Sequence, residues 1–227
     1  MDLSYMVSVV PILLPAFGTT LVLTALALLF GIAAGVPLGT MRSQTRGRSF
    51  LSWVIDAYVA FVRGTPLIVQ IFAAFFLLPE IGISASPFWI GIAALAFNSA
   101  GYQIEIVRAA VGAVPRGQIE SALALGLSRR RSLILVVLPQ ALRNMIPPML
   151  NEISHILKAS SVLSVLAIFE LHKAANALMA SSFRFLDLLV VQAVFYLSAV
   201  LVMEWSASRL AKRLSVSDPA TSPAMVR

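Results

Sequence analysis

The sequence predicts an all-α integral membrane protein with about five transmembrane helices, and three observations predict it. The chain is 59% hydrophobic, with a mean hydropathy of +0.90. Only 12% of its residues are charged, about half the usual share of a soluble domain. Several apolar runs reach the roughly 20 residues needed to cross ~30 Å of hydrocarbon. The net charge of +7 comes from basic residues placed between those runs, which reports topology rather than nucleic-acid binding. With no cysteine in the chain, disulfides, thiolate metal sites and cysteine nucleophiles are excluded. Asp2 stands where a secretory signal would carry positive charge, so the N-terminus reads as retained.

The elements follow in order. Residues 1–16 read as an external N-terminal segment, and a first span runs from about Pro11 to Met41, with Gly31, Gly35 and Pro37 available for bending. Arg42, Arg46 and Arg48 follow it. A second span covers about Leu51 to Pro79, with Arg63-Gly64-Thr65-Pro66 in its middle. A loop free of Lys and Arg, Glu80 to Pro87, leads to a third span over about Phe88 to Ala110. Arg116, Arg129, Arg130 and Arg131 then mark a basic stretch. Ser132 to Leu171 is mostly apolar, and a last span, Phe185 to Ser208, ends at Arg209, Lys212 and Arg213. A Ser/Pro-rich tail within 211–227 has the composition of a disordered segment. Cytoplasmic loops are enriched in Lys and Arg. The stretches 42–48, 108–131 and 209–213 are therefore expected inside, and 80–87 and 172–184 outside. That gives an outside N-terminus, an inside C-terminus and five crossings. Residues 132–171 are too long for one span, but two crossings there would break the charge rule. One net crossing is predicted, bent near Pro139, with an irregular piece around Lys158 to Val165. Non-helical backbone at membrane depth persists only where it is buried or lines a cavity.

Between the third and fourth spans lies a half-polar stretch, residues 117–131. Ile119, Ala122, Leu123, Gly126 and Leu127 recur at the spacing of one helical face. Pro115 and Gly117 sit at its start. Glu120 in the first turn and the arginines at its end would both suit the helix dipole. Too short to cross, it either lies on anionic lipid or docks a cytoplasmic protein. Gly126 favours docking, since a glycine inside a helix costs roughly 1 kcal/mol and permits close backbone approach.

Glu120-Ser121-Ala122, then Gly126, Val136 and Leu138-Pro139, keep throughout the spacing of the EAA signature of ABC importer permeases. Ser121 stands for an alanine there and Val136 for an isoleucine. Three further stretches resemble the polar amino acid branch of the histidine/glutamine/arginine type. They are Arg63-Gly64-Thr65-Pro66-Leu67 with Gln70, Tyr102 to Arg108, and Leu138 to Arg143 with Pro147-Pro148 and Asn151. The resemblance spans roughly residues 17–210, which it marks as a type I ABC transmembrane domain. It implies that the EAA stretch is a coupling helix seated in a groove of a separate ATPase, through Glu120, Ser121, Ala122, Gly126, Leu127, Leu138 and Pro139. It also implies two permeases about a two-fold axis, the same or homologous, with two ATPase subunits and an external substrate-binding protein. The setting it implies is the bacterial inner membrane, with a multi-pass chain among lipids. ATP and Mg would be bound by the partner ATPase and no cofactor by this chain, which has neither a phosphate-binding loop nor room for a nucleotide domain.

Ionisable groups at membrane depth are costly and point to function. Arg63 precedes the break expected at Pro66 and reads as structural, satisfying freed carbonyls or pairing with Asp56. Arg108 and Arg143 read as interfacial anchors. An amino acid presents a carboxylate and an ammonium. Lys158, with Ser160 and Ser161, suits the carboxylate, while Asn98, Glu105 or Glu152 suits the ammonium. For each, interhelical hydrogen bonding is the alternative role. The related family commonly has Lys-Asp-Thr-Ser-Leu where this chain has Lys158-Ala159-Ser160-Ser161-Val162, which speaks against recognition of a cationic side chain at that acidic position. A secondary carrier would show an internal repeat, and none is evident. A membrane enzyme would show a catalytic motif, and neither His155 nor His172 belongs to one. A structural or signalling subunit remains the third rival, and a catalytic or metal site is not expected.

Overall fold

The computed structural model describes residues 1–44 and 49–214, with the side chains of 207, 208 and 210–214 left aside. Arg46, Arg48 and residues 215–227 of the tail lie outside the described residues, so the expectations placed on them are not addressed. Every element among the described residues is helical. Four helices are long and apolar enough to cross a membrane, and a bent pair, taken as one span, makes a fifth.

Helix α1, Leu3–Gln44, has 42 residues and so a length of about 63 Å. Residues 3–16 are its first four turns rather than a separate segment. Asp2 receives Ser4 Oγ at 2.6 Å and Arg184 Nη1 at 2.7 Å, and these hold its carboxyl below the usual carboxylate range. Gly31, Gly35 and Gly39 let α1 approach α4 (Pro87–Gly112) closely. A Cβ at Gly35 would lie 2.8 Å from Ala100 O, and one at Gly39 would lie 2.9 Å from Ile104 O. Small residues every fourth position let two backbones touch, which supplies the packing that lipid cannot drive. The pairing climbs in the same direction on both helices, so α1 and α4 run parallel.

The second predicted span is two helices, α2 (Phe50–Gly64) and α3 (Leu67–Glu80), bent by 111°. Thr65 and Pro66 are extended, because the proline removes a donor and pushes its predecessor out of the helical region. α3 ends at Glu80, and Gly82, two residues on, has a φ of +82°.

The half-polar stretch is not one helix. α5 spans Arg116–Ala124, and Gly126 lies beyond its end with φ +83°. Gly126 N–H donates to Leu123 O at 3.0 Å and Leu127 N–H to Ala122 O at 3.1 Å. That pair of bonds is the Schellman motif. A Cβ at Gly126 would meet nothing within 4 Å, so the glycine is required by its φ and not by close approach. A new helix, α6 (Arg129–Ser132), starts at the N-cap Ser128. The three arginines therefore occupy a first turn, where the dipole disfavours positive charge.

α6 continues through a π-helical stretch, Leu133–Val137, into α7 (Leu138–Ala159). Pro139 cannot donate to the carbonyl four residues back, and the wider π turn ahead of it absorbs the misfit. Past α7 a 3₁₀ stretch, Ser160–Leu166, and Ala167 at φ 59° form the expected irregular piece. The stretch expected outside, 172–184, is mostly helix α8 (Leu171–Ser182), and α9 (Phe185–Leu214) closes the bundle. The boundary drawn at 210 thus falls inside α9.

Three apolar clusters stack along the bundle. At the α5 end, Val107, Ala110, Val114, Val137, Ala141 and Met145 are buried together. The middle holds Leu23, Ile71, Leu95, Ile156 and Leu163. At the far end Val9, Leu13, Leu171, Ala175, Leu188 and Val191 pack. α7, the 3₁₀ piece and α8 pass through these clusters in order, so the long segment runs once along the bundle from the α5 end to the far end.

Candidate functional site

Ile119 and Leu133 pack on the buried cluster at the α5 end, and Ala122 is buried. Glu120 and Ser121 remain exposed, and Leu127 and Leu138 are half-buried. Leu123 and Leu125 face outward, Leu125 with 84% of its surface accessible. α5 thus rests by one face on the π-helical stretch Leu133–Val137 and the buried cluster at that end, and presents a capped end with two exposed leucines. Pro139 is exposed beside it, at the start of α7.

The polar residues singled out along the helices fall into separate groups. Asn98 is buried and donates to Gln70 Oε1 at 3.0 Å. Gln70 Nε2 lies 2.9 Å from Val62 O, 3.1 Å from Thr65 O and 2.9 Å from Thr65 Oγ1. The carbonyls freed by the Pro66 break are therefore satisfied by Gln70, not by Arg63. Gln70 was quoted in the motif above without a role; a side-chain amide one turn past a helix-breaking proline is the signal that could have found it. Gln70→Leu should leave buried carbonyls unpaired at about 1–3 kcal/mol per group. At about 2–4 °C per kcal/mol for a chain of this size, the purified protein should melt several degrees lower. A matching loss on top of Asn98→Ala, fully additive, would show that the two amides do not act together.

Glu152 is buried and accepts from Ser99 Oγ at 2.7 Å, joining α7 to α4. Gln103 Nε2 donates to Ser99 Oγ at 2.9 Å, and a Cβ at Gly31 would come within 3.0 Å of Gln103 Nε2. This polar core of Ser99, Gln103 and Glu152 lies against α1; Gln103 belongs to the Tyr102 to Arg108 stretch quoted above, whereas Ser99 carried no sequence signal beyond polarity. His155 Nδ1 is 3.8 Å from Glu152 Oε2. Glu170, also unforeseen, is fully buried and caps α8 by accepting from His172 N–H at 3.0 Å and Lys173 N–H at 2.7 Å.

Lys158 is exposed at the end of α7. Ser160 Oγ donates to Leu157 O at 2.8 Å and Ser161 Oγ to Lys158 O at 2.7 Å. Both hydroxyl protons are thus committed to the backbone, which leaves Lys158 as the free donor of that trio. No hydrogen bond or ion pair joins Lys158 to Asn98, Glu105 or Glu152 among the described residues.

The remaining charges form a third group. Asp56 pairs with Arg42, at 2.7 Å to Nε and 2.9 Å to Nη2, and not with Arg63. Glu105 accepts from Arg108 Nε at 2.9 Å and Nη2 at 2.6 Å. Arg63 Nη1 reaches Glu105 Oε2 only at 3.5 Å. Arg108, read as an interfacial anchor, is therefore also the residue that orients Glu105. An open cleft of about 630 Å³ lies among these residues. A second, of about 460 Å³, runs along α4 and α7 past Tyr102, Asn144 and Pro148.

Residues 27–216 match the profile of a family described as binding-protein-dependent transport system inner membrane component. The chain is 30% identical over 219 residues to the arginine transport system permease protein ArtQ of Bacillus subtilis (strain 168), covering 96% of this chain and 99% of that one. It is 34% identical over 209 residues to the glutamine transport system permease protein GlnP of Escherichia coli (strain K12), covering 91% and 94%. Among solved structures, a chain of an amino acid ABC transporter with histidines superposes at a TM-score of 0.85 with 31% identity, over 94% of this chain and 99% of that one. A chain of the MetNI methionine ABC transporter, in an inward-facing form, superposes at 0.77 with 20% identity over 89% and 96%, which speaks for the fold alone.

Proposed function

Because this chain belongs to the family of binding-protein-dependent transport system inner membrane components, we propose that it is the permease subunit of an ATP-driven importer of a polar amino acid or related compound. The observation that carries the reading is α5. It is a short helix closed by a Schellman cap, anchored on the π-helical stretch Leu133–Val137 and the buried cluster there, with Leu123 and Leu125 turned away from the bundle. Such a surface suits the groove of a separate ATPase, with Glu120, Ser121, Ala122, Gly126, Leu127, Leu138 and Pro139 forming or supporting it. The relatives named for arginine and glutamine transport support an amino acid as cargo.

In this reading the α5 end faces the cytoplasm and the N-terminus the outside of a bacterial inner membrane. Counting the bent pair as one span gives five crossings, which supports termini on opposite faces. Two ATPase subunits bind ATP and Mg, a second permease completes the pathway, and an external binding protein delivers the substrate. Coexpression with an ATPase and a binding protein, followed by uptake in proteoliposomes, tests it. Copurification of the ATPase and ATP-dependent accumulation of an amino acid are expected. A permease that purifies intact without the ATPase would sink it.

Asn98, Glu105, Glu152, Lys158, Ser160 and Ser161 belong to the substrate pathway in this proposal, with unequal parts. Asn98 and Glu152 act through the helices they hold together. Lys158→Ala should lower uptake by about tenfold, the value of a charged hydrogen bond, while ATPase copurification stays at the wild-type level. Uptake kinetics unchanged by the substitution would make Lys158 a surface residue.

A further inference from the structure

Arg63 and Glu105 are the two residues that line both clefts. Arg63 lies at the end of α2, just before the Pro66 elbow, and Glu105 lies on α4 seven residues before its end. Their contact is loose, at 3.5 Å, and 54% of the Arg63 side chain is accessible against 22% of Glu105. Both oxygens of Glu105 are already held by Arg108. Asp56 is engaged by both nitrogens of the Arg42 fork. Three guanidiniums therefore face two carboxylates, and Arg63 is the cation without a tight partner.

We propose that Arg63 and Glu105 form a displaceable clamp for the α-carboxylate and α-ammonium of the transported amino acid, and that parting them joins the two clefts into one passage. This rests on the amino acid reading above. A guanidinium fork takes a carboxylate through two parallel bonds, whereas Arg63 now makes one long contact. An incoming α-carboxylate replaces a weak pair with a strong one. Its ammonium, one carbon away, meets Glu105, which Arg108 keeps oriented. Val59, Ala60 and Gly64 leave the neighbouring wall small and apolar, where the side chain of the amino acid is accommodated.

The test uses the permease with its ATPase and binding protein in proteoliposomes supplied with the twenty L-amino acids. The one accumulated becomes the probe. Binding of the probe, its carboxamide and its deaminated acid is then measured on the permease–ATPase complex without the binding protein. The wild type should prefer the probe over both analogues by about tenfold or more, one charged hydrogen bond each. Arg63→Gln should lose the preference over the carboxamide, and Glu105→Gln the preference over the deaminated acid. A purely structural role would weaken all three ligands equally and overturns the clamp. Equal binding of the deaminated acid and the probe to the wild type also overturns it, leaving a simple anion site, as does no binding at all while uptake proceeds. If no amino acid is accumulated, the transport reading itself falls instead.

Discussion

Gly35→Leu should leave almost no folded protein in the membrane, while Gly18→Leu on the same helix should be tolerated. A Cβ at Gly35 would already lie 2.8 Å from Ala100 O and 2.8 Å from Gln103 Cβ. The first of these is backbone and cannot rotate away. Overpacking a close-packed contact costs roughly 1–3 kcal/mol when the neighbours can shift, and more when the obstacle is a helix held on its other side by α7. Separation of α1 from α4 would also open the polar core of Ser99, Gln103 and Glu152, whose groups are costly to leave unpaired. At Gly18 a Cβ meets nothing within 4 Å, so a leucine there adds only lipid-facing surface. Fluorescence-detected size exclusion of detergent extracts reads both variants. A monodisperse Gly35→Leu peak at wild-type height would show that the two helices are not in backbone contact.

Gly126→Val should leave the amount of protein in the membrane unchanged and sharply reduce ATPase copurification and uptake. A left-handed conformation costs a side-chain-bearing residue roughly 1–2 kcal/mol, and a β-branched one is the least suited to it. One to two kcal/mol corresponds to a factor of about 5–30 in the population of the capped conformation. No neighbour of Gly126 within the chain is disturbed, since the space around it is open. Gly126→Asn, which tolerates positive φ, should retain most of the activity. Wild-type copurification by the valine variant would mean that the cap of α5 is irrelevant to docking.

The membrane class, the apolar helices of spanning length and the break at Pro66 were legible because they follow from residue types acting locally. Pro66 lacks a donor wherever it stands, and an apolar run of sufficient length favours lipid in any fold. The irregular piece after Lys158 was legible only by elimination, from a segment too long for one span and too basic at its far end for two. What failed was the continuity of the half-polar stretch. Ile119, Ala122, Leu123, Gly126 and Leu127 fit a helical period, yet the period holds equally for a helix that stops at Ala124. The glycine was read for its size when it mattered for its φ. Pairing partners were not legible at all. Asp56 sits two turns from Arg63 on the same face of α2, but Arg42 on another helix reaches it first, and that choice depends on where α1 lies. The buried acid at Glu170 was hidden for the same reason, because its role exists only once α8 starts behind it.

The contact of α1 with α4 has a mechanical consequence. α4 is a rod of 26 residues, or about 39 Å, and α5 follows it after three residues. Each degree of tilt at one end of such a rod displaces the other by about 0.7 Å, taking that length. The glycine rail leaves no slack between the two backbones, so α1 must swing with α4 rather than slide past it. A tilt of three or four degrees at the α5 end thus moves the far end of this pair by about 2–3 Å, carried by two helices acting as one beam.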